Sequence, residues 1–396
     1  MHIAVPDLPA EAPVLTVIID ATSGPDSRDA TVLHRWSDLR RTLSPEGVDD
    51  VPAADCEAVT EALGVPVHVR GEFGRVLVAA GGQVVLDRLL PEPPGVDRAV
   101  VSDRPHAFAL ARAADATVRY LLVNVDRAGA DFALYDAPAG LTGEVETAGT
   151  VEGAHDALTK PNLGPLGHKR IDNRAEDSWE RNAEAVATEL ERIYTERRPE
   201  LVLLTGDLRA VALVREQLGR PTDEKVVEIS GGGRAAGVNT RALQEQVAAA
   251  QTQLRERRRA ETVAKFRQEM GRDGAAVSGA DAVLDVLRKG QVADLLLAPD
   301  VAGPPSRLAK RSLWIGPGAL ELARSAEDLH SLGVQDPWEV RADLAIGRAV
   351  LDQGAGITIA EELDAVSDGV GALLRWHDSA TPGGHALAGS ADSGRV

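Results

Sequence analysis

The chain contains a single cysteine, Cys56, in 396 residues. One thiol excludes an internal disulfide and any thiolate zinc cluster, and it fits a reducing compartment. No apolar run approaches the roughly 18–20 residues needed to span a bilayer. The opening segment MHIAVPDLPAEAP has neither a basic region nor a long apolar stretch. No signal peptide is read there, and a soluble, cytoplasmic protein is expected. An excess of positive charge is missing as well: 43 Lys and Arg face 61 Asp and Glu, a formal charge of −18. That acidity argues against indiscriminate nucleic-acid binding through net charge. At roughly 100–200 residues per domain the length predicts two to four domains, each large enough for its own core.

Catalytic templates are also lacking. The sequence has no G-x-S-x-G elbow, no phosphate-binding P-loop and no H-E-x-x-H zinc helix. Its nine histidines are scattered, without ligand-spaced pairs. Cys56 lies in a polar helical stretch away from any histidine, so a structural role is expected. Asp126, Asp131 and Asp207 fall at strand ends, where turn and cap duty explains them more cheaply than metal binding. The run Ser230-Gly231-Gly232-Gly233-Arg234 superficially matches a dinucleotide loop, but no acidic ribose ligand follows on a second strand. A tight strand-to-helix connection is the preferred reading. No cofactor and no metal site follow from these residues.

What is present alternates between strand-like and helix-like patterns, which predicts layered α/β domains. Val14–Asp20 reads as a strand, and Leu33, Trp36, Leu39 and Leu43 recur at helical spacing. Gly81-Gly82 between two β-patterned runs reads as a hairpin turn. A second hairpin is expected over residues 120–135. A long polar connection, 137–176, comes next, and then a helix capped at Asp177 with Trp179, Ala183, Val186, Leu190 and Ile193 on one face. Leu201–Thr205 reads as a buried strand and 240–270 as a long helix. The last segment contributes a helix over 282–287 and strands near 294–298, 313–315, 356–359 and 371–375. The expected boundaries are 1–115, 116–250, 251–376 and a flexible tail, 377–396.

Three basic clusters run against the acidic trend. Residues 158–174 carry Lys160, Lys169, Arg170 and Arg174 against Asp172, with His168 beside them. Residues 255–272 include Arg255, Arg257, Arg258 and Arg259, and residues 307–311 add Arg307, Lys310 and Arg311. Lys and Arg neutralise phosphates without reading sequence, while Gly164 and Gly167 let backbone approach a base closely.

Several stretches carry a resemblance to a known superfamily. LLVNVDRAGADFALYD, WERNAEAVATELERIY followed by LVLLTGD, and VVEISGGGRAAGVNTRALQEQVA resemble the middle domain of archaeal and eukaryotic class-1 release factors and pelota. DAVLDVLRKGQVADLLLA and DGVGALLRW are similar to elements of the family's last domain. Together they cover about 120–376, and the bacterial members, including actinobacterial proteins and the hibernation factor Balon, look nearest. The resemblance implies a three-domain, pelota-like architecture with layered α/β middle and C-terminal domains. Departures matter as much. Where release factors carry their catalytic Gly-Gly-Gln, this chain has Leu158–Arg170, including Lys160, Asn162, Gly164, Gly167, His168, Lys169 and Arg170. Its own Gly81-Gly82-Gln83 falls at the hairpin in the first segment, and no Asn-Ile-Lys-Ser decoding motif is present.

The resemblance therefore implies a ribosome-binding factor that occupies the A site and blocks translation without reading stop codons. Its partners would be the 70S ribosome, through the RNA of the decoding and peptidyl-transferase centres, and a translational GTPase, elongation factor Tu. One rival is a peptidyl-tRNA hydrolase in which His168 or a loop amide positions water. Another is a stress-response binding protein that never meets ribosomes, which the net acidity keeps open.

Overall fold

A computed structural model describes residues 12–22, 28–67, 71–138, 145–152, 165–234, 240–272, 274–302, 308–361 and 366–378, with residues 3, 8, 69, 141, 363, 381 and 382. The chain opens with β1 (Val14–Asp20), α1 (Arg28–Arg41), β2 (Pro45–Glu46), α2 (Ala53–Gly64), β3 (Gly74–Ala80), β4 (Gln83–Leu90), β5 (Arg98–Ser102) and α3 (Ala107–Ala116). It continues through β6 (Thr117–Val125), β7 (Gly129–Pro138), β8 (Val145–Glu152), α4 (Pro165–Arg197), β9 (Leu201–Gly206), α5 (Leu208–Glu216), α6 (Arg220–Asp223), β10 (Val226–Glu228) and α7 (Thr240–Met270). Next come β11 (Ala276–Ser278), α8 (Ala280–Arg288), β12 (Val292–Leu297), α9 (Pro299–Ala302), β13 (Ser312–Ile315) and β14 (Leu322–Ala323). The last elements are α10 (Ala326–Ser331), β15 (Trp338–Arg341), α11 (Ala342–Asp352), β16 (Gly356–Ile359) and β17 (Val370–Leu374). This is the mixed α/β chain that the alternating patterns imply. None of its described helices is long and apolar enough to cross a membrane.

Two compact units emerge: residues 1–116 together with 256–396, and residues 117–255. The first, the terminal unit, joins the two ends of the chain. Its sheets have the strand orders β2-β5-β1-β3-β4, β11-β17-β12-β16 and β14-β13-β15. One apolar cluster mixes Val14, Val78, Phe108 and Leu110 from the N-terminal side with Val283, Leu295, Ile346 and Val350 from the C-terminal side. Shared burial of this kind couples the two segments, because neither covers these side chains alone. Polar groups are buried with them. The fully buried carboxylate of Asp343 accepts hydrogen bonds from Arg98 at 3.1 Å and from Arg341 at 2.6 and 3.1 Å. His106 Nδ1 accepts from the Ala109 amide at 3.3 Å, which leaves Nε2–H to face Asp343, also at 3.3 Å. Burial works against the Asp343 charge, yet the His106 hydrogen bond and Arg341 hold its pKa below the ordinary value.

Within the same unit, β3 and β4 form the expected hairpin around Gly81 and Gly82, at φ +62° and +79°. That geometry is the reason glycine occupies both turn positions. The tripeptide shared with release factors is a turn here, and Asp55 accepts from the Gly82 amide. Cys56 is buried in α2, where desolvation raises its thiol pKa. A buried, proton-holding thiol is a packing residue, as the sequence suggested.

The second unit is a five-stranded sheet in the order β10-β9-β6-β7-β8. Strands β6, β9 and β10 run parallel, while β7 and β8 add antiparallel strands on one side. Side chains alternate across the sheet with period two. Leu121, Val123 and Val125 meet Val186, Leu190 and Val214 of α4 and α5, whereas Val118, Tyr120 and Leu122 meet Val247, Ala250 and Leu254 of α7. Two covered faces explain the near-continuous apolar runs in β6 and β9.

The stretch 137–176 is not the single polar connection expected. It contains β8, paired to β7, and α4 begins at Pro165 rather than at Asp177. Proline suits the first helical position because no intrahelical acceptor awaits its missing N–H. Apolar periodicity starts only at Trp179, where the helix meets the sheet, so the polar opening turns left no periodic signal.

Candidate functional site

The parallel strands β6, β9 and β10 end side by side, and α/β sheets commonly gather their ligands at such carboxyl ends. Val125 and Gly206 are register partners at this edge. Gly206 has φ +129°, and a Cβ there would lie 1.9 Å from the Val125 carbonyl oxygen, so only glycine fits. Asp207 follows and caps α5, its carboxylate accepting from the Arg209 and Ala210 amides at 3.0 and 3.1 Å. The Ala210 amide bond, above all, lowers the Asp207 pKa in spite of burial, and Arg127 adds to the effect. Asp126 closes the β6–β7 turn by accepting from the Ala128 and Gly129 amides. Turn and cap duty is thus visible for both residues.

The glycine run contributes in two ways. Gly232 lies against Thr205 and Asn124, where a Cβ would stand 2.3 Å from the Thr205 methyl. Arg234, mostly buried, then reaches Asp126 at 3.0 Å, Asp131 at 3.1 Å and Glu152 at 3.8 Å. It ties together the ends of β6, β7 and β8. Burial opposes its charge, but the hydrogen bonds to Asp126 and Asp131 raise its pKa overall. Among the described residues no group of three or more His, Cys, Asp or Glu is arranged to hold a metal ion.

A second cluster occupies the same edge. Guanidinium carbons of Arg127 and Arg209 lie 4.5 and 5.0 Å from the centroid of the Trp179 ring. Arg127 Nε reaches Asp207 at 3.2 Å, and the Asn182 side chain donates to the Arg127 carbonyl at 2.8 Å. Beneath them Val125, Ala183, Val186, Ala210 and Val214 line a shallow cleft of about 250 Å³, open solvent included. Leu208, adjoining Arg209, is 86% exposed. This cluster went unnoticed in the sequence because its three members sit on a turn and two helices, with no shared spacing. The only signal was that Trp179 and Arg127 both lie within the stretches resembling a release factor.

The residues expected to face RNA are distributed unevenly. Lys160, Asn162 and Gly164 lie outside the described residues, as does Arg307. Gly167, His168, Lys169, Arg170 and Arg174 belong to the first turns of α4 rather than to a loop. In α7, Arg259 pairs with Asp115, Arg255 and Arg258 are half-buried, and Arg257 is exposed. Burial disfavours the Arg259 charge, but the bond to Asp115 raises its pKa overall.

Comparison with known proteins adds to this geometry. Residues 119–272 match the family model of bacterial archaeo-eukaryotic release factor family 2. Over its middle unit and α7 the chain is thus similar to the bacterial archaeo-eukaryotic release-factor-like proteins. Two Mycobacterium tuberculosis proteins, the uncharacterized proteins Rv2629 and MT2704, are each 27% identical over 95% of this chain and 96% of their own length. Among solved structures, S. cerevisiae Dom34 matches at 9% identity over 96% of this chain and 99% of that one, with a TM-score of 0.39. Archaeoglobus fulgidus Pelota matches at 12% identity over 95% and 99%, with a TM-score of 0.35. At such TM-scores the superpositions define no shared arrangement of the whole molecules.

Proposed function

We propose that this protein is a cytoplasmic, ribosome-binding translation factor that occupies the A site and blocks translation, a hibernation or stress factor that reads no stop codon. The observation that carries this reading is the release-factor match over residues 119–272. By its resemblance to release factors, the glycine-containing basic segment Leu158 to Arg170 would stand where they carry the catalytic tripeptide. Lys160, Lys169, Arg170 and Arg174 supply charge for phosphates, and affinity follows from counterion release. Gly-Gly-Gln lies instead in the β3–β4 turn, so hydrolysis by the release-factor route is not assigned to this chain. The middle unit would face the peptidyl-transferase centre and the N-terminal segment the decoding centre. Residues 251–376 would engage a translational GTPase, elongation factor Tu, as their resemblance to the family's last domain suggests.

The test is co-sedimentation with 70S ribosomes at low and moderate salt. Binding is expected to weaken steeply with salt. Lys169→Glu with Arg170→Glu should flatten the slope of log affinity against log salt by about two. A folded double variant that pellets like the parent would remove residues 169 and 170 from the contact. Release of labelled peptide from stalled ribosomes, abolished by changing His168, would replace occupancy with hydrolysis.

A further inference from the structure

We propose that residues 1–116 and 256–396 work as one rigid body, a two-ended adaptor that keeps its N-terminal and C-terminal contact surfaces in fixed relation while it binds. The inference deepens the ribosome-binding reading and rests on it for what the two ends touch. In that reading the N-terminal segment meets the decoding centre and residues 251–376 a translational GTPase. A body that does not flex between them makes each contact depend on the placement of the other. Domain boundaries at 115 and 251 would let the first and last segments move independently, but the structure joins them in one compact unit.

Apolar burial holds two surfaces together without fixing their register, because it is non-directional. Two other features fix the register here. The backbones of α3 and α11 approach closely: a Cβ on Gly347 would stand 2.9 Å from the Ala107 Cβ. Just after β2, a Cβ on Gly47 would stand 2.8 Å from Nε1 of Trp338 in β15. Charges from the two segments also pair across the seam. Arg98 and His106 meet the fully buried Asp343 at 3.1 and 3.3 Å. Asp103 stands 3.1 Å from Arg348 Nε, Arg104 Nε donates to Asp352 at 3.0 Å, and Arg259 holds Asp115. Sliding α3 along α11 would part Arg98 and His106 from Asp343 while all three stayed buried, and an unpaired buried charge is strongly destabilising. Full separation would instead expose the cluster of Val14, Phe108, Leu295 and Ile346 to water. One arrangement is left, and salt screens its buried pairs only weakly.

The experiment follows amide hydrogen exchange by mass spectrometry in the full-length protein at sub-denaturing urea. The slowest amides of β1 and β12 should exchange through one shared opening, with the same dependence on urea. Asp343→Asn should speed both by the same factor, about a hundredfold, and leave β6 as it was. An opening that exposes one segment while the other stays protected would overturn the single body. A second variant, Ala107→Cys/Gly347→Cys, carries the test to ribosomes. Its Cβ atoms start close to the separation a disulfide prefers, about 3.8 Å. The disulfide-closed and dithiothreitol-reduced forms should pellet with 70S ribosomes with equal affinity. Binding lost on closure and regained on reduction would show that the segments must part, and would overturn the proposal too. If the parent ignores ribosomes while β1 and β12 still open together, the rigid body stands and the ribosome reading falls. Should the cysteine pair fail to fold, exchange in the parent decides.

Discussion

The two units use the same pair of side chains in opposite ways. In the terminal unit Arg348 lies 5.5 Å over the Trp338 ring and its side chain is 7% exposed. Its terminal nitrogens donate to the Gly316 and Pro317 carbonyls, both at 2.8 Å, and Asp103 lies 3.1 Å from Nε. In the middle unit Arg127 lies 4.5 Å over Trp179, is 57% exposed and contacts one carboxylate through Nε. A buried cation–aromatic pair whose terminal guanidinium nitrogens both donate to its own chain locks a fold. The Arg127–Trp179 pair, with the arginine more than half exposed, stays at the surface instead. The contrast extends to the carboxylates: Asp343 is buried among three partners, while Asp207 stands half-exposed at a helix cap. The terminal unit buries its charged groups, and the strand ends of the middle unit keep theirs at the surface.

The largest expected effect comes from breaking the lock. Asp343→Asn leaves Arg98, Arg341 and His106 without their common anion and should cost about 3 kcal/mol at neutral pH. Urea unfolding followed by tryptophan fluorescence reports this change, because Trp36, Trp314, Trp338 and Trp376 belong to the terminal unit and only Trp179 to the middle one. Amide exchange in β6 and β9 should stay unchanged. The advantage of the parent also depends on pH. The folded-state pKa of Asp343 lies below its ordinary value of 3.8, so its stabilisation is complete above that value and is lost as pH falls through the folded pKa. Unfolding midpoints of parent and variant should therefore converge in acid below about pH 3.8. A gap that is constant with pH would contradict the ion pairing.

Gly206→Ala disturbs the other side of the comparison. A Cβ 1.9 Å from the Val125 carbonyl oxygen, at φ +129°, should cost about 1–3 kcal/mol. Loss of exchange protection confined to the middle unit, with the terminal unit's melting unmoved, is the outcome that checks it. The smallest effect belongs to Asp207→Ala, which removes the α5 cap and the Arg127 contact at a cost of about 1 kcal/mol. Differential scanning calorimetry reads that change. No shift in the middle unit would mean that α5 needs no cap.

Much of this fold was legible in the sequence. Buried strands such as β1, β6 and β9 carry near-continuous apolar runs, and α7 has the composition of a long helix. Gly81-Gly82 marked its hairpin because a two-residue turn of that kind selects glycine. The misses have a common cause. β8 and the first turns of α4 are polar, and the sequence around them carries no period to detect. The fully buried helix α11 lacks an exposed face, so its apolar residues do not alternate with polar ones at helical spacing. The Asp343 network and the Arg127–Trp179–Arg209 cluster join residues far apart in sequence, and pairing of that kind is set by the tertiary fold.

The central claim is that the middle unit meets ribosomal RNA, and cryo-electron microscopy of the protein bound to 70S ribosomes tests it most directly. Density in the A site, with residues 158–174 near the peptidyl-transferase centre, is the expected result. A bound protein whose middle unit faces solvent or ribosomal protein would contradict the claim. The absence of any bound particle at low salt, with or without elongation factor Tu, would contradict it too.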